Sequence, residues 1–265
     1  MRLYLELARR SFQRHLAYRA ATLAGLFTNA VFGVLIASVF VALYRGRDAT
    51  ETGSVAGFTL PEILTFVWVG QSLIMVVYLW GWWEVAAAIE SGDIITDLMK
   101  PIDYYAYWFS RDLGRAACHV LTRFVPTMLA GALVYDLALP RSVATWAAFA
   151  LSVALAVSVS FAWRFLLNLT AFWLLDVRGV HTLAVGLVSF FSGMLVPLPF
   201  FPDGLRRVAE LLPFRAIVML PVEVLLGHRS AGAALALQAS WAVALALLGQ
   251  AVLALAVRRV VVQGG

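Results

Sequence analysis

The sequence predicts an all-α integral membrane protein with six transmembrane helices, an N-terminal amphipathic interfacial helix and a re-entrant helix pair before the last span. Three observations carry this reading. Of 265 residues, 62% are hydrophobic and 13% charged, far from the balance of a soluble domain. Apolar runs long enough to cross a hydrocarbon core of roughly 30 Å recur along the whole chain. Short charged or proline-rich stretches separate them, and one, "IESGDIITDLMKPID" from Ile89 to Asp103, holds four of the fifteen acidic residues and the only lysine.

Residues 1–17 place Tyr4, Ala8, Phe12 and Leu16 at helical spacing, with Arg9, Arg10, Gln13 and Arg14 on the other side. Such a helix lies in the membrane surface. A first span follows from about Tyr18 to Tyr44, then a Gly-, Thr- and Asp-containing loop to residue 58. Its apolar segment is too long for the core of a cleaved signal peptide and is expected to remain as an anchor. Thr59 and Glu62, with Pro61 in the first turn, form a capping box that opens the second helix. That helix is expected to reach about Ile89, with Trp80, Trp82, Trp83 and Glu84 at the interface.

Tyr104, Tyr105, Tyr107 and Trp108 begin a third helix that runs to about Tyr135 with a kink at Pro126, and Arg111, Arg115 and Arg123 are expected to snorkel towards the interface. After a turn at 136–141, the apolar run 142–175 is broken only by Arg164 and Asn168. It is too long for one upright span and reads as a fourth helix with an extension or hairpin, closed by a turn at 176–179. The fifth and sixth helices are expected at about 180–196 and 231–257. Between them, residues 197–228 carry five prolines and two apolar pieces too short to cross, the pattern of an extracytoplasmic re-entrant segment. Six spans place both termini on one side, and the Arg-rich start assigns that side to the cytoplasm.

Several chemistries are poorly supported. The net charge of +5 owes much to arginines beside the first span, which suit anionic lipid head groups better than nucleic acid. Cys118 has no second thiol, and His15, His119, His181 and His228 are far apart without zinc-ligand spacing. A phosphate-binding loop of the G-x-x-x-x-G-K-[ST] type requires a lysine in that setting, and Lys100 stands between Met99 and Pro101. ATP, if used, must therefore bind another subunit. Ion coupling usually places carboxylates near the midplane, whereas Glu84, Glu90, Asp136 and Asp176 map near span ends. Asn29 and Gln71 remain as midspan polar groups, read first as interhelical hydrogen-bonding residues and second as pathway residues.

Taken together, "SGDIITDLMKPID" at 91–103, "FW" at 172–173, "SGMLVPLPFFPDGLRRVAELLPF" at 192–214 and "LPVEVLLG" at 220–227 resemble the membrane subunit of an ABC-2 type exporter. Within that class the chain resembles the bacterial six-helix permeases encoded, often in pairs, beside a separate ATPase. The resemblance extends over essentially the whole chain. It implies no catalytic residue, metal or cofactor in this chain, with ATP and Mg on partner ATPase subunits and a second permease, identical or homologous, completing the pathway. It also implies that 91–103 forms a coupling helix resting on the ATPase. The residues suit that role. Gly92 and Asp93 start a short helix, Ile94, Ile95, Leu98 and Met99 give it an apolar side, and Pro101 ends it after Lys100. Asp93 and Asp97 are placed to meet basic groups on a partner. Gly193, Pro197, Pro202, Pro213, Phe214 and Pro221 make up the re-entrant motif. An ion-coupled carrier or channel acting alone, and a membrane enzyme acting on lipid, are the alternatives at this level.

Overall fold

The computed structural model describes residues 2–46, 53–80, 82–174 and 176–258, so that 47–52 of the predicted first loop lie outside the described residues. Helix α1 (Arg2–Ala17) turns at Tyr18 into α2 (Arg19–Arg45). A two-residue hairpin, β1 (Ser54–Val55) and β2 (Phe58–Thr59), pairs Ser54 with Thr59 and Val55 with Phe58. Ala56 and Gly57 adopt positive φ at its turn, the geometry a two-residue hairpin favours. The predicted capping box then opens α3 (Leu60–Leu73), with the Thr59 amide donating to Glu62 Oε2 at 2.8 Å.

Helix α3 does not continue to Ile89. It passes into a π-helical turn, Ile74–Tyr78, and stops where Tyr78 adopts φ 53°, a strained value for a non-glycine residue. The chain restarts as α4 (Glu84–Glu90) and α5 (Ile94–Leu98). Next come α6 (Tyr104–His119), a second π-helical turn (Val120–Phe124) and α7 (Val125–Val134), which together form one continuous span. Pro126 lies in the first turn of α7, and the π-turn supplies the irregularity its missing N–H requires. Residues 142–174 do not fold back. α8 (Val143–Leu169) is one helix, extended by a 3-10 turn at Thr170–Phe172.

Among the described residues, five helical segments are long and apolar enough to cross a membrane: Arg19–Arg45, Leu60–Tyr78, Tyr104–Val134, Val143–Phe172 and Ala231–Val257. The last is α12, with the predicted bounds. The predicted fifth span is α9 (Arg178–Phe191), 14 residues long, about 21 Å at 1.5 Å per residue. Gly193, at φ +84°, turns the chain after it. The proline-rich region folds as α10 (Asp203–Leu211), a 3-10 turn at Pro213–Ala216 and α11 (Met219–Leu226). Ile217, Val218 and most of α11 are fully buried, whereas Val208 and Leu211 of α10 are exposed.

The core forms around α3, 78% of whose apolar window is buried against 22% for α2 and 17% for α12. Trp68 fills its centre, wedged between two glycines. A Cβ at Gly131 would fall 2.4 Å from the Trp68 ring, and one at Gly33 would fall 3.1 Å from it. Gln238 of α12 accepts from Ser152 Oγ of α8 at 2.8 Å and donates to Ala216 O at 2.8 Å. The amide thus ties α8, α12 and the 213–216 turn together, so its burial is hydrogen-bonded throughout. α1 packs along α6. Ser11 Oγ donates to Arg111 O at 2.6 Å, and a Cβ on Gly114 would fall 2.0 Å from Ala8 O.

Candidate functional site

The stretch 91–103 forms a short, exposed helical turn. Gly92 takes φ +81° in open space, so glycine is required there by backbone conformation and not by crowding. Ser91 Oγ donates to Asp93 Oδ2 at 2.8 Å, and α5 follows with Asp93 at its N-cap. Ile94 is buried and packs with Val85 of α4, Ile95 and Leu98 are half-buried, and Met99 is 83% exposed. Asp97 is held within the chain, accepting from Lys100 Nζ at 2.6 Å. That pairing raises the pKa of the Lys100 ammonium. Pro101 follows, and Asp103 caps α6 by accepting from the Ala106 amide at 2.6 Å.

The turn is fastened to the bundle through Asn168, which is fully buried in α8. Its Oδ1 accepts from the Ala86 amide of α4 at 2.9 Å, and its Nδ2 donates to Trp82 O at 3.0 Å. One side chain therefore grips both the start of α4 and the break that precedes it.

Beside that break lies a buried ionic cluster that the sequence reading did not anticipate. Arg115 Nε donates to Asp112 Oδ1 at 2.8 Å, and Arg164 Nη2 of α8 donates to Asp112 Oδ2 at 2.9 Å. All three residues are less than one-tenth exposed. Arg115 also donates to Met75 O and, at 3.0 Å, to Val76 O, capturing carbonyls of the π-turn. Ser160 Oγ donates to Val77 O. The broken end of α3 is thus satisfied by side chains of α6 and α8, as a buried helix end must be. Arg115 does not snorkel outward, and neither does Arg123, which donates to Ala21 O of α2 at 2.7 Å. Arg111 is the one of the three near the surface, stacked over Trp108 and paired with Glu84 at 3.0 Å. The Asp112–Arg115 spacing of three residues was a legible signal for a shared helix face.

The other residues read from the sequence are dispersed. Asn29 Nδ2 donates to the Gln71 backbone carbonyl at 3.1 Å, a buried link between α2 and α3. The Gln71 side chain lies by Phe40, Phe66 and Met194. Pro197 and Pro202 flank a 3-10 turn, Pro213 and Phe214 begin the next, and Pro221 is buried in α11. Phe214 packs edge-on against Trp163 at 4.9 Å. Arg215, buried there, pairs with Glu223 at 3.1 Å. His15 meets His119 edge-on at 5.7 Å, and among the described residues no three His, Cys, Asp or Glu side chains gather to hold a metal.

Residues 32–264 match the family model described as ABC-2 family transporter protein. The chain belongs to the ABC-2 transporter family. An ABC-2 protein is a multi-pass membrane component of transport that works, in general, with an ABC ATPase. The matched region contains α5, the ionic cluster and the 192–227 segment, whereas α1 precedes it. No curated protein and no solved structure matches this ABC-2 protein.

Proposed function

We propose that this chain is the permease subunit of an ABC exporter, that α4 and α5 receive the motion of a separate ATPase, and that a second permease completes the pathway. The observation that carries the reading is the attachment of α5. It projects Met99 and an acidic pair, yet its neighbour α4 is held by Asn168 to a helix that runs the length of the bundle. Closure of two ATP-bound subunits would displace α5, and Asn168 would convey the displacement to α8 and to the end of α3. ATP binding energy then shifts the population of two bundle arrangements. The six-span topology with cytoplasmic termini belongs to the same proposal, with α9 and the turn after it as the fifth crossing.

The test is affinity purification of the chain expressed with its neighbouring genes, followed by identification of co-purifying subunits and their ATP hydrolysis. Wild type should retain an ATPase. Asp97→Lys, which sets like charges against Lys100 and against basic partner groups, should weaken its retention about ten-fold or more. Gly92→Pro, impossible at φ +81°, should act likewise, with both variants still inserted in the membrane. A wild-type chain that purifies alone and supports ion-gradient-dependent flux in liposomes would replace this reading with a self-contained carrier.

A further inference from the structure

α9 is fastened differently along its length. Its C-terminal end is fixed to the buried segment that follows: the Met219 amide, at the start of α11, donates to Ser192 O at 3.1 Å, and Gly193 beside it takes φ +84°. The rest of α9 leans on the residues that lead into α4. The Trp83 indole stacks on the His181 imidazole with centroids 4.1 Å apart and planes 17° from parallel. Trp80 Nε1 donates to Ser189 Oγ at 3.2 Å. His181 is buried, and its Nε2 donates to Leu167 O of α8 at 3.3 Å, because a carbonyl can only accept. That bond to α8 is long, whereas the stack is in close contact.

Trp83 is not a free ring. It is the N-cap residue of α4, its carbonyl accepting from the Ala87 amide at 2.9 Å, and the carbonyl before it is held by Asn168. The indole therefore moves as α4 moves. Little around α9 opposes such movement. On one side Leu183 and Leu187 are exposed, and on the other a narrow cleft bordered by Trp163, Arg164, Ala184 and Val188 lies between α9 and α8. A close-packed seam resists displacement because each contact must be remade, and α9 has such a seam on neither flank.

We propose that Trp83 and His181 form a coupling joint in parallel with Asn168, through which displacement of α4 swings α9 about Gly193. The inference rests on the proposed function and adds a second helix to those that respond: Asn168 conveys the displacement to α8, and the stacked rings convey it to α9. Both are positioning residues. Parallel rings in contact move together or lose the surface they share, and a glycine at positive φ beside a fixed carbonyl supplies the hinge.

Distances between spin labels in the complex of the full chain with its co-purified ATPase test this. Labels are attached through Leu187→Cys on α9, Ala87→Cys on α4 and Leu129→Cys on α7, all exposed positions, while Cys118 is buried. With otherwise native sequence, ATP held unhydrolysed should change both the α4–α7 and the α9–α7 distance. His181→Ala leaves α4 untouched, so it should keep the ATPase, its hydrolysis and the first change but lose the second, with transport about ten-fold lower. His181→Phe keeps a ring for Trp83 and gives up the bond to Leu167 O, so it should restore the α9 response and transport. Trp83→Ala should behave as His181→Ala and Trp83→Phe as the native residue, and this pair decides the matter if His181→Ala does not fold. An α9 that ignores ATP while α4 moves, or that still responds in His181→Ala, overturns the joint and leaves the proposed function standing. A His181→Phe that behaves as His181→Ala overturns the stack in favour of the Leu167 bond. If no ATPase is retained, or neither distance changes, the proposed function fails and the joint with it.

Discussion

Asp112 is the residue on which the buried cluster balances. Replacing it by Asn leaves two guanidinium groups facing each other without a counter-charge, and removal of one member of a buried ionic set costs about 3–5 kcal/mol. Asp112→Asn should therefore be the most destabilising single change in the cluster, read as loss of the thermal transition in detergent. Arg115→Met is a different injury. Asp112 keeps Arg164, but the Met75 and Val76 carbonyls lose their donors, at about 1–3 kcal/mol for each group left unsatisfied. The two mechanisms separate in a double mutant. Asp112→Asn combined with Arg164→Gln should be less unstable than the sum of its parts, whereas Arg115→Met combined with Asp112→Asn should recover little, because the carbonyls stay orphaned. Half of this cluster was legible in the sequence, since Asp112 and Arg115 stand one helical turn apart. Arg164 was visible only as an interruption in an apolar run. Nothing local to 164 states that its partner lies 52 residues earlier on another helix, so the arginines of the 104–134 span read as snorkelling when two of the three expected to do so turn inward.

Among the elements, α1 depends on an unusually close approach. Gly114 lets α6 touch the Ala8 carbonyl, and backbone lies where a side chain would stand. Gly114→Val should undock α1 at a cost of about 1–3 kcal/mol, detected as faster amide exchange through residues 2–17 while α12 is unaffected. Acid should act on the same contact. His15 is partly buried against α6, and burial, reinforced by Arg115 and Arg14 and opposed by Glu84 and by its bond to Ser11 O, lowers its pKa. A histidine with a lowered folded-state pKa stabilises the docked form fully above its ordinary value of 6.5; that contribution is lost as the pH falls below it, because the undocked helix takes up the proton more readily. Protection of the α1 amides, taken as exchange relative to the intrinsic rate at the same pH, should fall as the pH drops below about 6.5 in wild type and less so in His15→Gln. The helix α1, the capping box of α3 and the bounds of α12 were readable because local spacing and capping determine them. The end of α3 was not. Apolar periodicity continues through 74–78 into α4, and the break exists only because Arg115 and Ser160 receive the carbonyls it releases.

For the whole molecule, the arrangement of polar contacts suggests how motion at one end reaches the rest. α8 is joined to α4 through Asn168, to α6 through Asp112, to the end of α3 through Ser160 and to α12 through Gln238. Apolar surface between these helices can slide at small cost, whereas a buried hydrogen bond must be kept or broken. The polar ties are thus the rigid joints of the bundle, and Asn168 is the one among these four that touches the α4–α5 unit. On the proposed function, this separates two defects that would otherwise look alike. Asp97→Lys strikes the surface of α5, so an ATPase should be lost from the purified complex and transport should cease with it. Asn168→Leu leaves that surface intact but frees α4 from α8, exposing the Ala86 amide and the Trp82 carbonyl to an apolar neighbour. Its ATPase should co-purify as in wild type and still hydrolyse ATP, while transport in liposomes containing the complex falls about ten-fold or more, the equivalent of about 1.4 kcal/mol of lost coupling. Equal loss of ATPase binding and transport in Asn168→Leu would mean that α4 shapes the docking surface, and transport at the wild-type rate would mean that the displacement reaches the bundle by another joint.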